Sequence, residues 1–369
     1  MKKVLLITRP ICPPWDEASK NFAYYLAKNI KDLNIGLLTC GTIPDLLPNI
    51  EQKPIYTSNH LSFWQKIKLS RSLGKLKKEF DIFHSLFTPT KQNSSWLKKI
   101  LKKDVKTIQT IATLREDLYS DEDLKKMIFA DLAITYSDYA LNKLNTLGIY
   151  NAKRVYPGID LELYRPMEKD AELMKNLEIN SDDFVLTYHG EFTRLGSIDD
   201  MAELVEKYQT EFREKKIKLV LACRIKNDAD RKKKKKMLEN FKAKNLLDIV
   251  RLPETFTMME KVYNLGDIAL FPVHHMQGKF DIPLVIPEAF ACGKPMIISD
   301  LPILEELISG GEAVTIEKGN VENIFEEIMA LYNDSAKRKE MGEKGRKYVE
   351  ANFDIKKVAE TYQEIYENL

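Results

Sequence analysis

The feature that most constrains this chain is a rhythm of short apolar, β-branched-rich runs separated by longer amphipathic stretches. The runs are Val4 to Thr8, Ile35 to Thr39, Ile82 to Leu86, Val105 to Ile111 and Leu132 to Tyr136, then Phe184 to Tyr188, Leu219 to Ala222, Ile249 to Leu252, Ile268 to Pro272 and Pro295 to Ser299. Strands joined by helices in this way imply parallel sheets covered by helices, the α/β class. The rhythm pauses at Tyr156-Pro157-Gly158-Ile159-Asp160, where proline and glycine break periodicity, and a linker is predicted there. A chain of 369 residues exceeds what one hydrophobic core usually covers, so two domains are expected, 1–156 and 157–353. In open parallel sheets ligands bind beyond the carboxyl ends of the strands, so function is sought in the loops that follow these runs.

No apolar stretch approaches the ~20 residues that span a bilayer. The start, Met1-Lys2-Lys3 followed by Val4 to Thr8, reads as a first buried strand and not as a secretory signal, so a cytoplasmic location is expected. Cys12, Cys40, Cys223 and Cys292 have none of the close spacings of zinc or redox sites and are expected to be free thiols.

The net charge of +2 conceals an asymmetry, since residues 1–157 carry a net +10 and residues 158–369 a net −8. A basic half attracts acidic lipid head groups or acidic glycans, or simply keeps the surface soluble. Within it, the segment Leu61 to Phe80 sets Leu69, Leu73, Leu76 and Phe80 on one helical face among Lys66, Lys68, Arg71, Lys75, Lys77 and Lys78. A second basic patch runs from Trp96 to Lys103. Such a stripe packs on its own sheet or rests on an acidic membrane, and the first is the commoner outcome. The cations Arg231 to Lys236 lack interleaved aromatics for stacking on nucleic acid and read as a solvated helix face; no nucleic-acid partner is expected.

Two segments carry the chemistry. The first run of the second half leads through His189-Gly190-Glu191-Phe192-Thr193-Arg194-Leu195-Gly196 into a helix with Ser197 as its expected N-cap and Asp200 completing a capping pattern. A glycine-bearing loop entering a helix N-terminus suits a diphosphate, and Arg194 adds a bidentate cation; an ordinary strand-to-helix turn reads the same way. The second segment, Asp281-Ile282-Pro283-Leu284-Val285-Ile286-Pro287-Glu288-Ala289-Phe290-Ala291-Cys292-Gly293-Lys294-Pro295, is a short helix with prolines in its opening turn and a glycine stop. Glu288 there serves either to accept hydrogen bonds from a ribose diol or to complement the helix dipole. The preceding loop holds His274 and His275; either imidazole is suited to binding phosphate or moving a proton, and His275 is taken as the catalytic candidate.

Gly158-Ile159-Asp160 with Tyr164-Arg165-Pro166, the Gly190 loop, Tyr263 to Pro272 and Glu288 to Pro295 together resemble the family 4 retaining glycosyltransferases, in that order and at similar separations. The resemblance covers nearly the whole chain. It implies the GT-B architecture: two Rossmann-like domains facing across a cleft, an N-terminal acceptor domain and a C-terminal nucleotide-sugar donor domain, with about 354–369 forming a closing helix that crosses back to the first. It further implies transfer of a sugar from a nucleotide-diphosphate sugar, UDP- or GDP-linked, to a glycan or lipid-linked acceptor, with retention and with no bound metal or other cofactor. Position by position, Glu288 matches the ribose-binding glutamate. Gly190, Gly196, Arg194, Arg224 and Lys226 fall among the phosphate-binding positions, Pro253 and Glu254 in the loop that lines the base, and Lys279, Ile282, Pro283 and Leu284 among the donor contacts.

Several departures from that pattern stand out. The glutamate usual eight positions before Glu288 is here Phe280, with Asp281 beside it as the replacement candidate; the histidine usual after the run Thr107 to Ile111 is Ala112 or Thr113. In the glycine loop Glu191 stands where arginine is common. At the acceptor end the candidates are Trp15, Asp16 and Glu17 after the first strand, His84 in Asp81-Ile82-Phe83-His84, and Arg115, with Glu116 as a possible base. Asp121-Glu122-Asp123 after Ser120 reads as an acidic helix start and not as a metal site. The departures keep open a noncatalytic scaffold that binds a nucleotide sugar or glycan; a nucleotide-sugar epimerase of similar shape fits the motifs less well.

Overall fold

The protein is described from a computed structural model, in which residues 2–12, 18–44, 46–58, 62–101, 105–256, 258–308 and 310–369 are described. The chain divides into two compact units. The first comprises Met1–Asp160, Gly278–Leu284 and Asn352–Leu369, the second Leu161–Gln277 and Val285–Ala351.

The first unit is built on a parallel sheet of β1 (Lys3–Ile11), β2 (Asn34–Thr39), β3 (Ile50–Lys53), β4 (Ile82–Ser85), β5 (Lys106–Ile111), β6 (Leu132–Thr135) and β7 (Ala152–Arg154), ordered β3-β2-β1-β4-β5-β6-β7. The second is built on β8 (Phe184–Tyr188), β9 (Ile217–Leu221), β10 (Val250–Arg251), β11 (Ile268–Phe271), β12 (Met296–Ser299) and β13 (Ala313–Ile316), ordered β10-β9-β8-β11-β12-β13. Both are doubly wound sheets whose order reverses beside the first strand, at β1/β4 and at β8/β11.

Central strands are buried on both faces and read as continuous apolar runs, which is why the sequence displays them. The three strands without a predicted run, β3, β7 and β13, all lie at sheet edges. There one side faces solvent, and polar sequences such as Ile50-Glu51-Gln52-Lys53 and Ala152-Lys153-Arg154 suffice.

In the first unit the helix Phe63–Leu76 buries Leu69, Leu73 and Leu76, which join Phe80, Leu5, Ile7 and Phe83 in one core. The expected apolar stripe thus packs on its own sheet. The last helix, Ile355–Asn368, buries Val358, Ala359, Tyr362, Ile365 and Tyr366 and lies against the helix Ala18–Asn29. The predicted linker is held within this unit. Ile159 N–H donates to Phe353 O, Ile355 N–H donates to Ile159 O, and Tyr156 stacks on Phe353 at 4.6 Å. Cys12 and Cys40, distant in sequence, end β1 and β2 side by side with their Sγ atoms 2.9 Å apart, both as free thiols. Among the described residues no helix is long and apolar enough to cross a membrane.

Candidate functional site

In the second unit the loops after β8 and β11 flank the point where strand order reverses, the place where such sheets open a crevice. The loop after β8 is the glycine loop. A Cβ on Gly190 would lie 2.0 Å from the Tyr188 hydroxyl, which itself meets Ser197 Oγ at 2.9 Å. Gly196 has φ +85° and turns its Cα toward the His274 ring, leaving no room for a side chain. Leu195 beside it also has positive φ, 73°, although it is not glycine and is buried. Left-handed backbone in a β-unbranched but bulky residue is strained and persists only where the surroundings enforce it.

Here the enforcement is visible, because His274 on the loop after β11 donates its backbone N–H to Leu195 O at 2.7 Å. Its Nε2 stands 2.6 Å from Asp200 Oδ2. His274, not His275, is therefore the engaged imidazole; His275 is exposed and has no partner among the described residues. The capping pattern predicted for the helix Ile198–Lys207 is not formed. Ser197 adopts helical backbone angles and its hydroxyl goes to Tyr188, while Asp200 is committed to His274.

Glu288 lies in the helix Val285–Ala291, with Pro287 in the first turn and Gly293 at positive φ just past the end. Tyr263 donates its hydroxyl to Glu288 Oε2 at 2.7 Å, and the Tyr164 hydroxyl reaches the same carboxylate. Burial outweighs both hydrogen bonds and pushes the Glu288 carboxyl up to about 7. Tyr263 is in turn stacked on His189 at 4.3 Å. His189 is buried against Thr187 Oγ1 and, by burial, held neutral with a pKa near 3. Arg346 braces the other side, donating from Nη1 to Tyr164 O at 2.9 Å and Ala291 O at 2.8 Å. The Glu288 carboxylate is thus a positioned, partly accessible acceptor linked through Tyr263 to the glycine loop.

The cations assigned to phosphate are not free. Buried Glu191 pairs with Lys226 through Oε1 and with Arg194 Nε through Oε2 at 3.3 Å, and its backbone bridges to Arg224. The residue that replaces the usual arginine therefore neutralises two of the side chains proposed to meet a diphosphate. One cation of the run Arg231 to Lys236 is not solvated, correcting the reading of a wholly exposed face. Lys234 is buried and donates to Pro253 O at 2.9 Å and Glu254 Oε1 at 2.7 Å, anchoring the proposed base-lining loop.

Elsewhere in that run Lys233 pairs with Asp199, on the first turn of the helix Ile198–Lys207. Both acids of that turn therefore have counterparts, Lys233 and His274.

The first unit corrects several assignments. His84, taken as an acceptor ligand, is fully buried, with Nδ1 2.7 Å from Tyr366 Oη and Nε2 2.6 Å from Thr110 Oγ1. Burial lowers its pKa to about 3, and it is a neutral core residue joining β4 and β5 to the last helix. Asp281, the proposed replacement acid, is buried as well. Its N–H donates to Ala112 O at 2.9 Å and its Oδ1 accepts from Leu114 N–H at 3.1 Å, clamping 278–284 to the loop after β5. Phe280 packs edge-on against Tyr136 at 5.5 Å. Ile282 and Pro283, assigned as donor contacts, are buried within this first unit, while Lys279 and Leu284 are half-buried there.

Arg115 forms a two-bond pair with Asp117 at 2.8 and 2.7 Å, and Glu116 is held by Tyr139 Oη at 2.9 Å and Lys143 at 3.2 Å. Neither is a bare group awaiting substrate. Trp15, Asp16 and Glu17 lie outside the described residues. Ser120 caps the helix Asp121–Met127, its hydroxyl accepting from Asp123 N–H, with Asp121, Glu122 and Asp123 in the first turn.

Sequence reasoning singled out Glu288 and the glycine loop but assigned no role to Tyr164, Tyr263, His189 or Arg346. The first three stood in quoted motifs; Arg346 carried no signal.

Residues 169–348 match the family described as Glycosyl transferases group 1. A capsular polysaccharide biosynthesis glycosyltransferase, CapM of Staphylococcus aureus, is 23% identical over 226 residues, 61% of this chain and 55% of that protein; the match thus spans about half the length of that relative. The N-acetyl-alpha-D-glucosaminyl L-malate synthase of Bacillus anthracis is 23% identical over 300 residues, 79% of this chain and 75% of that one. Among solved structures, Anabaena HepE in complex with UDP superposes with a TM-score of 0.78 at 16% identity, covering 100% of both chains. Sucrose-phosphate synthase from Thermosynechococcus elongatus gives 0.77 at 16% identity, covering 100% of this chain and 99% of that one. This chain therefore has the GT-B fold, and its residues 169–348 match the group 1 glycosyl transferase family.

Proposed function

We propose that the protein transfers a sugar from a nucleotide-diphosphate sugar to a glycan or lipid-linked acceptor, with retention of configuration and without a metal. The observation that carries this reading is the carboxylate of Glu288, which lies inside the family-matched residues and is fixed between Tyr263 and Tyr164. A ribose diol offers two O–H donors to such an acceptor. The glycine loop and the start of the helix Ile198–Lys207 supply backbone N–H groups and a dipole end for the diphosphate. Of the acids in that turn, Asp199 is paired with Lys233 and Asp200 is hydrogen-bonded to His274, so neither carboxylate is left unpartnered at the helix start.

UDP is the favoured carrier, GDP the second, because HepE has been solved with UDP and with UDP-glucose. The first unit is the acceptor side, and the protein works in the cytoplasm at the inner membrane face. Catalysis would rest on positioning and on stabilising the departing diphosphate.

A thermal-shift screen against UDP, GDP, ADP, TDP and CMP with their sugars tests the donor assignment, since a ligand that binds only the native state raises its melting temperature. A selective shift lost in Glu288→Ala is expected. No shift with any nucleotide, or a shift unchanged in that variant, refutes the Glu288 reading.

A noncatalytic scaffold is the second reading, favoured by three observations. Phe280 packs on Tyr136, Asp281 is internal, and Glu191 occupies Arg194 and Lys226. Transfer or hydrolysis of the selected donor by the pure protein excludes it.

A further inference from the structure

The helix Phe63–Leu76 has two faces, and the fold uses one. Leu69, Leu73 and Leu76 pack on the sheet. Directly opposite, at helical spacing, stand Trp64, Ile67, Lys68, Arg71 and Lys75, which with Ser72 line an open depression of about 340 Å³. Trp64 is 76% exposed and Phe63 beside it 71%, their rings edge to face at 5.8 Å. Lys68, Arg71 and Lys75 are exposed and have no carboxylate partner among the described residues. Trp96 Nε1 donates to Ser70 Oγ at 2.7 Å and fixes the helix Lys91–Leu101 alongside, which adds exposed Lys98 and Lys99.

Chain direction places this surface. The helix carries the chain from the carboxyl end of β3 back to the amino end of β4, and these strands are parallel. Its first turn, with Phe63 and Trp64, therefore lies at the end of the unit where the strands point their carboxyl ends, the end at which ligands bind.

We propose that this outward face is a docking surface for an anionic phospholipid bilayer. Two exposed aromatics beside an unpaired cationic row are what an interfacial helix needs. The rings enter the head-group boundary while the lysines and arginine meet lipid phosphates. A water-soluble polyanion would engage the cations and leave the aromatic pair in water, whereas a bilayer takes both. The inference rests on the acceptor reading only for its purpose, bringing the acceptor end to a lipid-linked substrate; binding itself does not depend on transfer.

The test is co-sedimentation of the full chain with vesicles of phosphatidylcholine alone or with ~30% phosphatidylglycerol, at low and high salt. Binding to the anionic vesicles, a blue shift of tryptophan emission, and a loss of roughly tenfold or more on raising salt from about 0.1 to 0.5 M are expected. The triple variant Lys68→Ser/Arg71→Ser/Lys75→Ser should lose binding, and Trp64→Ser should weaken it and remove most of the blue shift. Both should keep the wild-type melting temperature and nucleotide-induced shift, so failure here is separable from failure of the donor assignment. Equal binding to neutral vesicles, or full binding by the triple variant, overturns the proposal. Preferential binding of a soluble acidic polysaccharide, indifferent to Trp64→Ser, also overturns it and assigns the face to a polymer.

Discussion

Replacing Glu288 with glutamine isolates the effect of its charge. The carboxyl is raised from an ordinary 4.5 to about 7, chiefly by burial. At about 1.36 kcal/mol per pK unit, carrying the charge costs the native state about 3 kcal/mol at most, less where solvent reaches the group. The sign follows from linkage. Below the unfolded pKa the group is protonated in both states and contributes nothing. As pH rises from 4.5 through about 7 the native protein must ionise a buried carboxyl and loses stability relative to the variant. Ligand-free Glu288→Gln should therefore melt with the wild type near pH 4.5 and above it at pH 8.

Nucleotide binding should show the opposite demand. If ribose hydroxyls require the carboxylate, the competent fraction is roughly 10% at pH 6 and roughly 90% at pH 8, so affinity should rise about ninefold from pH 6 to pH 8. Calorimetric titration of the nucleotide selected by thermal shift, repeated across that range, measures it. Glu288→Gln should bind weakly and without that slope. An affinity flat from pH 6 to 8 in the wild type, or the same slope in the variant, refutes the reasoning.

Three further outcomes are expected. His84→Ala removes a buried ring bonded to Thr110 and Tyr366 and should cost about 2–5 kcal/mol in denaturant unfolding; unaltered stability with a raised acceptor KM would restore the acceptor role. Gly196→Ala combines φ +85° with a collision against the His274 ring and should lose about 1–3 kcal/mol together with nucleotide affinity; a variant matching the wild type in both would mean the loop is not held as described. Glu191→Gln releases Arg194 and Lys226 and should strengthen binding of a nucleoside diphosphate several-fold over its monophosphate; an unchanged ratio would show that Glu191 does not compete with phosphate.

Interior strands were legible because burial on both faces writes an unbroken apolar run, and edge strands such as β7 were not because half their surface is wet. Glu288 and the glycine loop were legible because a motif fixes both spacing and residue type. Long-range pairing had no such signature. Nothing near Glu191 announces Lys226, nothing near Pro253 announces Lys234, and the clamp of Asp281 on Ala112 and Leu114 joins segments far apart in the chain. His84 shows the limit from the other side. A polar residue at a strand end looks the same in sequence whether it faces a ligand or, as here, a tyrosine in the core.

The route of the backbone between the units has a practical consequence for hybrid enzymes. The first unit is assembled from three separate stretches, Met1–Asp160, Gly278–Leu284 and Asn352–Leu369. A chimera spliced once near Asp160 would join one parent's sheet to the other parent's clamp and closing helix. Asp281 would then have to find Ala112 and Leu114, and Phe353 would have to find Tyr156 and Ile159, on a foreign surface. Recombination that leaves all three stretches with one parent, and exchanges only Leu161–Gln277 and Val285–Ala351, keeps every one of those contacts native.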